Sequence, residues 1–160
     1  YFHIQFYKTG TNDPIEVTGF QTQLEDVERG GTTREWLVGP KITTGGVDQH
    51  LSFSNTSIFT IPEDDWTRII QTGVTVGTES VERAVPGFGV LGGTQIGKTV
   101  GIDLSTTPLS YFRIGTSKDG NGGSWLMGPI GDIQAVPEPA TLVLAGLAAL
   151  SVFGIARQPK

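Results

Sequence analysis

The sequence predicts a mainly β protein, an antiparallel β-sandwich or jelly-roll-like domain with one short helix, followed by a C-terminal hydrophobic helix. Glycine and proline are abundant, at 23 and 9 residues of 160, while only 17% of residues are charged. That balance favours short strands and many turns. Several short runs alternate apolar and polar residues between turn residues, the period of half-buried strands. Near residue 135 the composition then changes abruptly. This divides the chain into a β-rich domain over 1–135 and a tail over 136–160.

The opening YFHIQFY places Phe2, Ile4 and Phe6 on one face and His3 and Gln5 on the other. Similar runs follow at WLVGPKI, VDQHLSF, GVTVG, KTVGIDL, LSYFRIG and IGDIQAV. Turn residues separate them, among them Gly30-Gly31, Gly45-Gly46, Pro86-Gly87 and Asp119-Gly120. One segment differs. Thr60-Ile61-Pro62-Glu63 has capping-box spacing, Trp66, Ile69 and Ile70 fall on one helical face, and Gly73 can close the helix. Glu63, Asp64 and Asp65 read as its solvated first turn, since an acidic triplet needs a second acidic segment to cage an ion.

Composition also excludes functions. With no cysteine there are no disulfides, thiolate metal sites or cysteine nucleophiles. Net charge is −5 with scattered basic residues, so the electrostatic footprint for nucleic acid is missing. The sequence begins at Tyr1 without a methionine or a basic-then-apolar leader, which points to a processed or truncated start.

In the tail, VPEP is followed by an uncharged run from Ala140 to Ala156, then Arg157 and Lys160. As a helix the run spans roughly 25 Å, within the length range that can cross a hydrocarbon core. A basic end stays on the cytoplasmic side, which puts residues 1–135 outside.

Pro137-Glu138-Pro139, an apolar helix and a basic end at Arg157 resemble the PEP-CTERM sorting signal. The resemblance implies a bacterial protein exported through the inner membrane and held there by residues 140–156. An exosortase then processes it at this tail, leaving it at the outer surface or in the extracellular matrix. The prolines restrict φ and bias their neighbours to extended conformations, which presents Glu138 on a strand-like peptide. The end is poorer in arginine than is usual for the family. The resemblance covers about residues 136–157 and supplies an address, not an activity.

Residues 92–99 read GGTQIGKT, a letter-for-letter match to the phosphate-loop pattern. A working loop needs a helix after it, so that backbone N–H groups and the helix N-terminus face the phosphates. Here Lys98 is followed by TVGIDLSTTP, in which Val100, Ile102 and Leu104 alternate. That predicts a strand carrying Lys98 and Thr99, so nucleotide hydrolysis is not expected.

Asp48, His50 and Ser52 supply the residue types of a hydrolase triad, yet neighbours on one strand cannot converge as a triad requires. SKDGNGGSW offers Asp119, Asn121 and backbone carbonyls beside Trp125, a loop that can bind calcium or contact a sugar. Trp36, Trp66 and Trp125 suit the core better than a sugar platform. No cofactor is expected. The expected function is that of a non-catalytic surface or matrix protein, with exopolysaccharide as a partner. The alternatives are a carbohydrate-binding module, with or without calcium, an ice-binding module, and a secreted glycoside hydrolase whose carboxylates come from distant strands.

Overall fold

The computed structural model describes residues 1–27, 29–30, 33–61, 68–86, 98–119, 126–128 and 130–137. Thirteen strands lie within these residues: β1 (Phe2–Gln5), β2 (Val17–Thr18), β3 (Phe20–Val27), β4 (Arg29–Gly30), β5 (Thr33–Thr44), β6 (Val47–His50), β7 (Phe59–Thr60), β8 (Arg68–Val76), β9 (Glu79–Pro86), β10 (Lys98–Leu104), β11 (Tyr111–Asp119), β12 (Leu126–Met127) and β13 (Gln134–Ala135). Every pairing is antiparallel.

The larger sheet runs β1-β11-β5-β9-β8, with β4 and β6 also paired to β5; a second runs β12-β3-β10-β7, and β13 pairs β2. Alternation places the inward side chains. Phe20, Leu24 and Val27 of β3 and Val100, Ile102 and Leu104 of β10 are buried, as are Leu37 and Ile42 of β5 and Phe112 and Ile114 of β11. All ten join one apolar cluster, so both larger sheets contribute to a single core. Each such side chain contributes about 1.5–3 kcal/mol when fully buried. The Phe20 and Phe112 rings meet with centroids 5.0 Å apart.

Leu37 and Ile42 differ in parity, so strict alternation would turn one of them outward. A bulge resolves this: Val38 pairs Gly115 and Lys41 pairs Arg113, leaving Gly39 and Pro40 opposite Ile114 alone. Gly39 takes φ +50 there, and Pro40, which has no N–H to donate, is tolerated because the ladder is already interrupted. The expected turn at Gly45-Gly46 joins β5 to β6, both glycines having positive φ, 56 and 75, the conformation of a two-residue type I′ hairpin.

The helix expected from Thr60 is corrected over its second half. Ile69, Ile70 and Gly73 belong to β8, where Ile69 pairs Val85 and Ile70 pairs Ala84. Gly73, at φ +70, lies where the register shifts between Gln71 and Val74. The run RIIQTGVTV is rich in β-branched residues, and pairing with β9 outweighs the local cap pattern. Its first turn and Trp66 lie outside the described residues, as do Asn121, Trp125 and residues 138–160 with Glu138, Pro139, the apolar run and Arg157. Among the described residues no helix is long and apolar enough to cross a membrane.

Candidate functional site at the base of the C-terminal tail

The last described segment runs antiparallel to β3 and β2. Leu126 pairs Glu25 and Met127 pairs Leu24; Gly128 then donates its N–H to the Gln23 carbonyl at 2.7 Å and Gly131 donates to Gln21 at 2.8 Å. Further on, Gln134 pairs Thr18 and Ala135 pairs Val17, and Val136 donates to the Glu16 carbonyl at 2.9 Å. Between these contacts Gly19, at φ +82, approaches so closely that a Cβ would collide with the Asp132 carbonyl.

The seat beneath this segment is fixed to the core. Val17 exchanges two backbone hydrogen bonds of 2.9 Å with Leu109, and both residues are buried. The Glu16 carboxylate accepts the N–H of Gly45, which ties the seat to the β5–β6 turn. On the other side Tyr7 bridges Pro14, and Ile15 donates to the Phe6 carbonyl at 3.1 Å. Together these place Lys8, Pro14, Ile15 and Glu16 opposite Ala135, Val136 and Pro137 around a cleft of about 310 Å³. Its walls are mainly apolar, with one basic and one acidic residue.

The motif that decides the reading starts in this cleft. Residues 135–158 match the PEP-CTERM protein-sorting motif. The chain therefore carries a PEP-CTERM tag, which marks it for export and implies processing by an exosortase-family enzyme. Of the expected signal residues, Pro137 is placed, exposed at the cleft. No curated protein and no solved structure matches the chain.

Lys98 and Thr99 lie on β10, where Lys98 pairs Val27, so strand replaces the helix that a phosphate loop requires at this point. The triad types are engaged separately. Asp48 accepts from Lys41 Nζ at 2.8 Å and from Thr43 Oγ1 at 2.7 Å, and these bonds hold its carboxyl below the usual range. Ser52 Oγ lies 3.1 Å from Glu82 Oε1 and 2.6 Å from Ser54 Oγ. Glu82 also accepts the Phe53 N–H at 2.7 Å, an anchor for the turn after β6.

Trp36 is buried at 6% exposure, with the Arg83 guanidinium 3.4 Å from its ring centre, which leaves no open face for a sugar. Asp119 ends β11. Among the described residues no three His, Asp or Glu side chains are grouped to hold a metal ion. A second cleft, of about 260 Å³, opens where β6 and β9 diverge beside the bulge, lined by His50, Ser52, Ser80 and Glu82 with Gly39 and Gly73.

Sequence reasoning found the tag but missed Lys8, Pro14, Ile15 and Glu16. No local signal could have shown them, because they become neighbours of the tag only through the long-range pairing of β2 with β13.

Proposed function

We propose that this chain is a non-catalytic cell-surface or extracellular-matrix protein whose two larger sheets form a β-sandwich. Residues 140–156 act as a temporary inner-membrane anchor, Arg157 marks the cytoplasmic end, and exosortase processing at the tail precedes release to the outer surface. The single observation that carries this reading is the PEP-CTERM motif over 135–158. It is supported by the position of the core, whose side chains all precede the motif, so that removal of the tail leaves the core's residues in place. The domain then works by adhesion, with exopolysaccharide as its partner.

Intact mass and fractionation of the mature protein from its own host test this. A mass lacking the tail, recovered from the envelope or matrix, is expected. A full-length protein recovered from the cytoplasm would overturn it.

The cleft beside the bulge favours a second reading as a carbohydrate-binding module, because imidazole, hydroxyl and carboxylate groups together suit sugar hydroxyls. A glycan array with and without calcium tests it; binding lost on His50→Ala would establish it, and no binding to any glycan would reject it.

A further inference from the structure

The sorting motif and the folded domain overlap. Residues 135–137 belong to the motif, yet Ala135 pairs Val17, Val136 is bonded to Glu16 and Pro137 lines the cleft. There is no spacer between them. Consecutive Cα atoms stand about 3.8 Å apart, so Glu138 begins one residue step beyond the cleft wall. A stable recognition interface covers about 800 Å² on each partner, far more than Pro137-Glu138-Pro139 can present. An enzyme that closes around this tripeptide, whatever further contact it makes with the rest of the motif, meets the wall formed by Lys8, Pro14, Ile15 and Glu16 unless β13 peels from its seat.

The seat favours contact. Its carbonyl acceptor Glu16 is tied by its own side chain to Gly45, and its neighbour Val17 is paired on both edges, hydrogen-bonded to Leu109 and facing Ala135 across the β2–β13 ladder. The extended segment before the tag thus arrives in one orientation, beside a mainly apolar cleft that is continuous with the tag. We propose that this cleft is a docking surface for the exosortase-family enzyme, which reads the folded domain together with the Pro-Glu-Pro tag. The inference rests on the tag being the processed element, and it adds that the processing rate depends on residues far from it in sequence.

The test follows conversion of the full chain to its processed form by pulse-chase and intact mass, in a host that carries the enzyme. Three variants are compared with the parent: Pro14→Glu, which places a charge on the cleft wall; a six-residue Gly-Ser spacer between Val136 and Pro137; and Glu138→Gln. Slowing of about fivefold to tenfold by each of the first two, the size expected when a few interface contacts are lost, supports the proposal. The spacer arm is decisive where Pro14→Glu fails to fold, because it leaves the domain sequence intact. Faster or unchanged conversion with the spacer overturns docking, faster conversion meaning that the seat hinders the enzyme and β13 peels. Loss of envelope retention by Pro14→Glu at an unchanged processing rate would assign the cleft to the membrane surface and also overturn it. Glu138→Gln separates the two readings: if it and the other variants all process at the parent rate, the tag reading itself fails.

Discussion

Gly39 and Val81 leave no room between them: a Cβ at Gly39 would stand 2.9 Å from Val81 Cγ1 and 3.2 Å from its Cβ. Gly39 also has φ +50, where side chains other than hydrogen are disfavoured. Gly39→Ala should therefore lower stability by about 1–3 kcal/mol, the combined scale of local strain and overpacking. Urea midpoints of the two proteins check this. An unchanged midpoint would mean that the bulge is dispensable.

The same bulge explains what the sequence could and could not convey. KTVGIDL and the opening strand were legible because their apolar residues alternate without interruption. FQTQLEDV alternates too, with Phe20, Thr22 and Leu24 buried, but polar Thr22 on its inward face weakens the apolar pattern, and it is not among the runs read as strands. The run WLVGPKI reads as one strand and β5 does continue through Gly39-Pro40, because β11 pairs it on both sides, but the bulge inside it is not visible in the sequence. Near Thr60 a local cap signal competed with strand pairing to β9, which only the tertiary fold supplies. At the candidate site, Pro137 and the motif were legible from order and composition. The cleft beside them was not, since a pairing such as Ala135 with Val17 leaves no trace in either segment alone.

The Phe20 and Phe112 rings, both fully buried, join the two larger sheets at a centroid distance of 5.0 Å. Either Phe→Ala change should cost about 3–5 kcal/mol. The double-mutant cycle should return a coupling of about 0.5–1.5 kcal/mol beyond area burial. Chemical denaturation of the four proteins gives both quantities, and strict additivity would show that the rings do not share one core.

On the outer face, Arg113 donates two hydrogen bonds to Glu79, at 3.1 and 2.6 Å. These bonds hold the Glu79 carboxyl below its ordinary value and raise the Arg113 guanidinium. Asp103 is likewise lowered, first by the Ser105 hydroxyl and then by the Ser105 N–H. A carboxyl lowered on folding lends stability that is complete above its unfolded-state value and is lost as pH falls through its folded-state value. The urea midpoint should therefore fall as pH drops below about 4, and Glu79→Gln should flatten that fall. Equal acid slopes for both proteins would remove the pair from the account.

Gly19 controls how the tail leaves the domain. A Cβ there would collide with the Asp132 carbonyl, and the backbone has φ +82, so Gly19→Ala must displace the chain between Gly131 and Ile133. The core should survive, because Phe20 and Leu24 are held by β10 through the pairs Leu104 with Phe20 and Val100 with Leu24. The seat of the tag should not, because Gly131 and Val136 keep their bonds to Gln21 and Glu16 only if the segment between them stays close. Hydrogen exchange should therefore rise at the Gly131 and Val136 amides by about tenfold or more, an opening cost lowered by about 1.4 kcal/mol, with protection at Ile102 and Phe112 retained. If the enzyme reads the seat and the tag together, this variant should also be processed more slowly, as with the inserted spacer. Raised exchange together with an unchanged processing rate would show that the tag is read without the surface on which it rests.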